Sequence, residues 1–458
     1  MSRDSLKALR KAAGAKNIST DQATCSLYSS DATQLEALPL AVVHAADTRQ
    51  VARIMACCFD YGLAVVPRGA GSGFTGGAVP VAGGVVLNLS GMTNIKVMPQ
   101  HRLLHAEPGA LIDEIKKAAT NHNLFFPPDP SSAAFATIGG SVAENAGGLR
   151  AIKYGVISDY VLALEAVLMD GRIIKTGSQT HKSVVGYDLT RLLIGSEGTL
   201  AVITGITLKL ITPPETLSTL SACFASEKQA LNMINHINRQ PIVPTALEFL
   251  DRRSLAAVKS LGKLELPHAA KAFLLVEVDG AFEVVKRQAE QLSSMLLKGG
   301  GFNLQSAHSA DDALEIWKVR RGISQGMHQL GTHKLNQDIA LPLGNMSAFM
   351  EIMDKAANDF EVPIAVFGHV GDGNLHVNIM YNGNDPTEAR QAQDAVNFVF
   401  AHTLHLQGSV SGEHGVGIKK LAGARLELDE NALDMMWRIK RAFDPSNLLN
   451  PGKALPRI

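Results

Sequence analysis

The sequence predicts an α+β protein of two domains, because the chain changes in character at one point. With 458 residues it is too long for a single hydrophobic core. From about Pro39 to Leu210, short β-branched runs alternate with helical patterns, as in a mixed domain of strands and helices. The pair Pro213–Pro214 interrupts this pattern, and longer helices alternate with strands beyond it. We therefore expect a first domain over residues 1–212 and a second over 213–407.

Several elements are marked clearly enough to be placed. The predicted strands are Leu63–Pro67, Val85–Leu89 and Ala272–Val278. The predicted helices are Thr48–Tyr61, Glu227–Arg239, Glu283–Lys298 and Leu433–Phe443.

The charges and the cysteines exclude several classes of protein. Lysine plus arginine and aspartate plus glutamate both number 43, so the chain lacks the basic excess of a nucleic-acid-binding protein. The four cysteines are Cys25, Cys57, Cys58 and Cys223. They form no C-x-x-C pair, which argues against a structural zinc ribbon or an iron–sulfur cluster. A disulfide framework is not expected at this chain length, which favours a reducing compartment.

The N-terminal segment predicts neither secretion nor a membrane span. Met1–Gly14 has the pattern of a basic amphipathic helix and lacks the apolar core of a signal peptide. The chain contains no transmembrane segment, that is, no uninterrupted apolar run of about 18 residues. We expect a cytoplasmic protein, and peripheral attachment to a membrane complex stays open.

Three glycine-rich loops in the first domain indicate a long ligand that contains phosphate. The loops are Pro67–Gly77, Thr137–Gly148 and Leu193–Leu200. Glycines at alternate positions let backbone N–H groups converge on an anion. The first loop is neither a P-loop nor a G-x-G-x-x-G motif, so ATP and NAD fit poorly. One such loop alone would also suit a plain glycine-rich turn, whereas three together favour a ligand with a central pyrophosphate.

The order of the motifs resembles the FAD-binding domain of the vanillyl-alcohol-oxidase superfamily. The motifs are P-R-G-x-G-S-x-F-T-G-G, P-P-D-P-S, G-G-S-x-A-x-N-A-G-G, K-Y-G and G-S-E-G-T-L. The resemblance implies a two-part FAD-binding domain of the p-cresol methylhydroxylase (PCMH) type, with its core at about 36–212. It further implies that the C-terminal segment 408–458 returns to this domain, and that 213–407 forms an α+β cap domain with an antiparallel sheet.

The same resemblance implies which residues bind FAD. The loop from Arg68 to Gly73, with Thr75, is expected at the pyrophosphate, and Ile203 near the adenine. The expected FAD contacts are Pro67, Arg68, Gly69, Ala70, Gly71, Ser72, Gly73, Thr75, Gly76, Pro130, Thr137, Gly139, Gly140, Ser141, Asn145, Gly148, Tyr154, Gly155, Glu197, Gly198, Ile203 and Asn450. Some relatives link the flavin through a histidine in the first loop. This loop has none, so we expect FAD to be bound non-covalently.

A pair of histidines predicts a metal site. His369 and His376 flank Gly-Asp-Gly-Asn, which is strong turn chemistry, so the chain is expected to reverse and bring both rings together. Further on, Glu413 and His414 are adjacent within a second glycine-rich loop. Two histidines, one carboxylate and an open position form a catalytic divalent-metal site, with zinc expected and iron or manganese open. A single histidine would more often be a surface or hydrogen-bonded core residue.

This region resembles the C-terminal half of the FAD-linked D-2-hydroxy acid dehydrogenases. The shared motifs are G-H-x-G-D-G-N-x-H, G-E-H-G-x-G and F-D-P-x-N-x-x-N-P-G-K. The resemblance implies that His369, His376 and Glu413 bind the metal and that His414 is the catalytic base. It also implies that Asn450 lies beside the flavin.

The resemblance also assigns residues to the substrate. Arg320 is expected to bind the substrate carboxylate, with Ser324 one helical turn later on a helix that begins near Asp311. Without the resemblance, these basic residues would equally suit a solvated helix face. Relatives carry a lysine where this chain has Asn336, and Lys334 is the expected substitute.

We therefore expect FAD-dependent, metal-assisted oxidation of a small D-2-hydroxy acid, D-lactate or glycolate. His414 would take the hydroxyl proton and FAD the C2 hydrogen. The chain has no cluster or haem ligands, so an external acceptor must follow: an iron–sulfur partner subunit, an electron-transferring flavoprotein, a cytochrome or a quinone. The alternatives are D-2-hydroxyglutarate as the substrate, a non-catalytic subunit that only conducts electrons, and a metallohydrolase. A homodimer is left open.

Overall fold

The computed structural model describes residues 1–33, 35–81, 83–262 and 266–457. It divides into two compact units. Unit 1 consists of Met1–Gly147, Val156–Pro213 and His414–Ile458, and unit 2 of Gly148–Gly155 and Pro214–Glu413.

The described residues form the following strands and α-helices. The strands are β1 Ile18–Ser19, β2 Ala41–His44, β3 Val65–Arg68, β4 Val85–Asn88, β5 Ile95–Met98, β6 Leu103–Ala106, β7 Val161–Val167, β8 Ile173–Gly177, β9 Val202–Lys209, β10 Thr216–Phe224, β11 Ala246–Leu250, β12 Ala272–Gly280, β13 Phe302–Ala307, β14 His333–Ala340, β15 Ile364–His369 and β16 Asn374–Tyr381. The α-helices are α1 Arg3–Ala13, α2 Gln22–Leu27, α3 Thr48–Asp60, α4 Ile112–Thr120, α5 Ile138–Glu144, α6 Ala151–Tyr154, α7 Leu189–Leu193, α8 Glu227–Ile237, α9 Arg252–Lys259, α10 Phe282–Lys298, α11 Ala310–Arg321, α12 Ile323–Gly326, α13 Met346–Asp359, α14 Pro386–His405, α15 Leu421–Glu427 and α16 Glu430–Phe443.

The described residues of unit 1 form two sheets. The first has the order β1-β2-β4-β3, in which β2, β4 and β3 are parallel, and the second is antiparallel with the order β5-β6-β9-β7-β8. The parallel strands are short apolar runs, as expected for strands covered on both faces. At the edge of the first sheet, Val65 of β3 is bridged in parallel by Leu449 from the end of the chain. The first sheet is therefore completed only by the C-terminal segment.

Unit 2 is built on one seven-stranded antiparallel sheet with the order β13-β10-β12-β11-β15-β16-β14. Successive side chains of a strand point to opposite faces, and β12 shows this directly. Leu274 and Val276 join one buried apolar cluster, whereas Phe273 and Leu275 join another. Both faces of the sheet are therefore covered, and the predicted α+β class with an antiparallel sheet in the second domain is confirmed.

Most predicted elements begin and end within a few residues of the observed ones. Helix α8 begins where predicted because Ser226 accepts a hydrogen bond from the backbone N–H of Gln229. Helix α16 begins three residues earlier than predicted because Asp429 is its N-cap. The predicted helix through Arg320 and Ser324 is divided: α11 ends at Arg321, and the exposed Ser324 lies on the short helix α12. Gly322, a poor helix former, lies at the division.

The cysteines are all free and buried. Burial raises the pKa of the Cys58 thiol to about 12, with a further contribution from Cys57. Within the described ranges, no helix combines the length and the apolar character that crossing a membrane requires.

The turn between β15 and β16 generates a stability prediction. Gly373 has φ +85°, and a Cβ there would overlap the carbonyl oxygen of Leu341. Gly373→Ala should lower the free energy of unfolding of unit 2 by about 2 kcal/mol or more, through a left-handed backbone and a steric clash. Urea unfolding followed by Trp317 fluorescence in a Trp437→Phe background measures it.

The matched control is Gly344→Ala in the same unit, where an added Cβ meets nothing within 4 Å. This variant should be as stable as the parent or slightly more so. Equal stability of the Gly373 and Gly344 variants would contradict the prediction.

Candidate active site

A tight hairpin brings the two histidines of unit 2 together. Strand β15 ends at His369, the turn covers 370–373, and β16 begins at Asn374, so the chain reverses as predicted. Phe367 lies directly opposite His376, and His369 follows two residues later on the same face. The two imidazole rings are 5.1 Å apart between centroids and almost perpendicular.

Three donor atoms form a nearly regular triangle at this hairpin. The Nε2 atoms of His369 and His376 are 3.4 Å apart. Oε1 of Glu413 is 3.6 Å from the first Nε2 and 3.7 Å from the second. Two ligand atoms about 2.1 Å from a tetrahedral metal ion lie about 3.4 Å from each other. The spacing and the chemistry of this donor set therefore fit one divalent metal ion.

A buried carboxylate lies behind His369. Glu248 has no solvent exposure, and its Oε1 is 2.5 Å from Nδ1 of His369. Burial alone lowers the pKa of His369, but Glu248 and Glu413 raise it more, and the net result is a pKa well above the usual value. The other carboxylate oxygen, Oε2, accepts a hydrogen bond from Nε of Arg320 at 2.6 Å. Glu248 therefore contacts both a predicted metal ligand and the predicted substrate-binding arginine.

A second buried carboxylate lies behind His376. Asp338 has no solvent exposure, and its Oδ1 is 3.9 Å from Nδ1 of His376. Its Oδ2 accepts hydrogen bonds from the backbone N–H groups of Gly412 at 3.0 Å and Glu413 at 2.9 Å. Asp338, His376 and Glu413 each also offer a ligand atom within 4.8 Å of the others. Asp338 thus fixes the backbone that carries Glu413.

Neither carboxylate was assigned a role from the sequence. Glu248 is a single acidic residue in the apolar strand Ala246–Leu250, and an acid inside such a run is the signal that was missed. Asp338 lies at the end of the polar run Asn336–Asp338 on β14, and nothing in its neighbours along the chain marks it.

The other predicted substrate residues lie on or near the same face of the sheet. The Cζ atom of Arg320 is 4.6 Å from the ring centroid of Phe367. Asn336 pairs with Asn378 across β14 and β16, and its Nδ2 donates to Oδ1 of Asn378 at 2.8 Å. Lys334 pairs with Met380, one row further from the histidines. Asn336, and not a cation, is therefore next to the Asp338–His376 row.

In unit 1 the structure gathers the predicted FAD loops. A Cβ at Gly69 would overlap Oγ1 of Thr137, so the first loop approaches α5 as closely as only glycine allows. Nδ2 of Asn450 donates to the carbonyl oxygens of Gly77 at 3.1 Å and Glu197 at 2.7 Å. Three glycine-rich loops and the C-terminal segment thus meet at one place in unit 1, here called the cradle, where the close approach of the backbone suits a ligand with a pyrophosphate.

The remaining predicted FAD residues fall into four groups. Pro67 and Arg68 end β3, and the guanidinium of Arg68 donates to the carbonyl oxygen of Ser30. The other first-loop residues are Ala70, Gly71, Ser72, Gly73, Thr75 and Gly76. Pro130 precedes the second loop, whose other residues in unit 1 are Gly139, Gly140, Ser141 and Asn145, and Asn145 is the C-cap of α5 with φ +51°. A Cβ at Gly198 would lie 3.4 Å from Cγ of Pro67. Ile203 is buried in β9.

Four predicted residues have other surroundings. Gly148, Tyr154 and Gly155 belong to unit 2, where the hydroxyl of Tyr154 donates to Asp279 and Lys153 forms an ion pair with the same carboxylate. His414 belongs to unit 1, where its ring is 5.2 Å from that of Phe74.

Buried ionisable groups surround the cradle of unit 1, and the sequence did not identify Glu144 among them. Burial raises the pKa values of Glu144 and Glu197, and it lowers that of Lys453 to about 7. Glu197 accepts hydrogen bonds from the backbone N–H groups of Val416 and Gly417. Oε2 of Glu144 is buried and lacks a hydrogen-bond partner among the described residues. Such a polar atom is typical of a cradle that a bound group completes.

Two family models match the chain. The FAD binding domain matches residues 39–177, and the C-terminal domain of FAD linked oxidases matches residues 213–454. Glycolate oxidase subunit GlcD of Bacillus subtilis (strain 168) is 37% identical over 455 residues, covering 99% of this chain and 97% of that protein. The D-lactate dehydrogenase of Archaeoglobus fulgidus is 34% identical over 419 residues, covering 91% of each chain.

Solved structures show the fold. p-Cresol methylhydroxylase with substrate bound has a TM-score of 0.81 at 15% identity, covering 99% of this chain and 96% of that one. The 4-ethylphenol oxidase from Gulosibacter chungangensis has a TM-score of 0.78 at 16% identity, covering 99% and 97%. The predicted PCMH-type fold is confirmed.

The hydrogen bonds of Asp338 generate a prediction for unit 2. Asp338→Asn replaces one acceptor oxygen by an NH₂ group, which must then face either two backbone N–H groups or the amide of Asn374. The free energy of unfolding should fall by about 1–3 kcal/mol. The amide protons of Gly412 and Glu413 should exchange faster in hydrogen-exchange mass spectrometry. Unchanged exchange would contradict this, and the exposed Asp359→Asn is the control.

Proposed function

We propose, since the chain belongs to the family of FAD-linked oxidases, that it oxidises a small D-2-hydroxy acid, D-lactate or glycolate, to the 2-oxo acid. The chain is an oxidoreductase that binds FAD. One observation carries the proposal. The donor triangle of His369, His376 and Glu413 fits a metal ion, and Glu248 joins it to Arg320 because this carboxylate contacts both His369 and Arg320. The printed names of the two relatives, a glycolate oxidase subunit and a D-lactate dehydrogenase, support the substrate class.

In this proposal His369, His376 and Glu413 hold a divalent metal, with zinc preferred and iron or manganese also compatible with two nitrogens and one oxygen. A bound metal ion lowers the pKa of a hydroxyl that coordinates to it. The glycine-rich loops of unit 1 would hold FAD, which would supply the acceptor for a hydride, one proton with two electrons, from C2 of the substrate.

The chain's own residues bind and orient the acid and move one proton. Arg320 presents its terminal nitrogens to the substrate carboxylate, where a planar fork gives two parallel hydrogen bonds. His414, which follows the ligand Glu413 directly, accepts the proton of the C2 hydroxyl on its imidazole. The electrons then leave for an external acceptor: an iron–sulfur partner subunit, an electron-transferring flavoprotein, a cytochrome or a quinone.

The Asn336–Asn378 pair favours a short substrate. It places two neutral amides in the row next to Asp338 and His376, so this row of the described sheet offers no cation to a second carboxylate. Lys334 lies four residues from Asp338 along β14, about 13 Å in an extended strand. D-2-hydroxyglutarate is therefore the second candidate substrate, and its binding would rely on Lys334. Ser324 is exposed on α12, and we assign it only a minor role in substrate binding.

Anaerobic bleaching of the bound flavin tests the proposal. D-lactate, L-lactate, glycolate and D-2-hydroxyglutarate are each added with and without a chelator. We expect rapid bleaching by D-lactate or glycolate and its loss after chelation. No bleaching by any acid, in protein that contains both FAD and metal, would overturn the proposal in favour of an electron-conducting subunit.

Replacement of the proposed base gives a sharper test. His414→Ala should retain FAD but reduce the rate of flavin reduction about 10²–10⁴-fold, the usual contribution of a general base. Stopped-flow absorbance of the flavin measures that rate. The control is His405→Ala, an exposed histidine of α14. A near-parental rate for the His414 variant would remove the assignment.

A further inference from the structure

We propose that Glu248 is a positioning residue that fixes both a metal-binding histidine and the substrate-binding arginine. The inference rests on the function proposed above and assigns to it a residue that touches neither the metal nor the substrate. Its basis is the pair of contacts made by one wholly buried carboxylate, Glu248 to His369 and Glu248 to Arg320.

The contact with His369 is built into the register of the sheet. Glu248 on β11 lies directly opposite His369 on β15, and directly opposed residues share a face with their Cβ atoms about 5 Å apart. The side chains of Glu248 and His369 are therefore direct cross-strand neighbours. A carboxylate with no exposure to water is costly unless both oxygens are satisfied, and here each oxygen has one partner. Both partners are therefore needed to keep this charge in the sheet.

The bond to Nδ1 decides which nitrogen of His369 is available to a metal. An imidazole has two ring nitrogens, and a carboxylate at Nδ1 keeps the proton there. The lone pair then lies on Nε2, the atom that faces His376 and Glu413 in the donor triangle. Glu248 itself is on the opposite side of the ring from that triangle. It acts through His369 and is not a fourth ligand.

The bond to Nε decides what Arg320 presents. The guanidinium is held at one edge by Glu248 and on one face by the ring of Phe367. In the ranges 1–33, 35–81, 83–262 and 266–457, the terminal nitrogens of Arg320 make no hydrogen bond. The two nitrogens that suit a carboxylate best are therefore left for a ligand, with the plane of the guanidinium already fixed.

The test uses the full-length FAD-containing enzyme with Glu248→Gln. Glutamine offers one acceptor to two donors, so one of the two contacts must fail. Metal-depleted protein is titrated with Co²⁺ and with Zn²⁺ against a competing chelator. We expect the metal affinity to fall about 10–100-fold, as for other groups that orient a ligand histidine, together with altered Co²⁺ d–d bands. KM for the hydroxy acid should rise, and the FAD content should stay unchanged.

The matched control is Glu277→Gln. Glu277 is a buried carboxylate on β12, the strand next to β11, and its Oε2 accepts from Thr219 and Trp317. Glu277 lies on the same face of the sheet as Glu248. Its hydrogen bonds and ion pair within the described part of the chain do not involve His369 or His376. The metal affinity of the Glu277→Gln variant should stay within about twofold of that of the parent protein. This result would show that the loss of a buried carboxylate elsewhere in the sheet does not by itself weaken metal binding.

Two further variants separate positioning from charge balance. Glu248→Asp keeps the charge but is too short to make both contacts, and it should also weaken metal binding even if the glutamine variant fails to fold. The double variant Glu248→Gln with Arg320→Met removes both charges. If Glu248 only neutralised Arg320, this double variant would regain parental metal affinity, and we expect it to remain weak.

The possible failures are distinguishable. Parental metal affinity and d–d bands in the Glu248→Gln and Glu248→Asp variants would overturn the positioning role and leave the proposed function intact. A parent protein that binds no metal, or whose flavin no hydroxy acid bleaches, would instead overturn the proposed function.

Discussion

The candidate site depends on keeping two negative charges inside an antiparallel sheet. Glu248 and Asp338 are excluded from solvent, each within reach of Nδ1 of a histidine. Such charges persist only where donors surround them. His369, which strand register places opposite Glu248, and Arg320 are the donors to Glu248. Asn374 and the backbone of the loop that carries Glu413 are the donors to Asp338. The same contacts that satisfy the carboxylates therefore fix the geometry of the site.

The sequence revealed the local parts of this arrangement. Gly-Asp-Gly-Asn between two histidines predicts a reversal because turn chemistry acts within four residues. For the same reason Glu413 was identified from its glycine-rich loop. Helix starts such as Ser226 are equally local, since an N-cap acts within one turn. Each of these predictions needed only neighbours in the chain.

The missed parts depend on distant pairing. Glu248 acquires its proposed role because β11 pairs with β15. The two residues in contact, Glu248 and His369, are 121 positions apart in the chain. No local pattern predicts which strands become neighbours. An acidic residue in an apolar strand is therefore recognisable as unusual, but the residue that it contacts is not predictable. The division of the helix after Arg321 is a different kind of miss. There one glycine outweighed a helical pattern that continued on both sides.

The bridge between Val65 and Leu449 has a consequence for synthesis of the protein. The two residues are 384 positions apart, and the edge of the first sheet of unit 1 is closed only by the second. At 5–20 residues per second, a ribosome needs roughly 20–80 s between them. Throughout that interval β3 has an unpaired edge, which in a nascent chain is open to pairing with another chain. Every residue of unit 2 is translated before that edge is closed, so a chain truncated between Glu413 and Leu449 would keep all of unit 2 and lack the strand contact that completes the first sheet of unit 1.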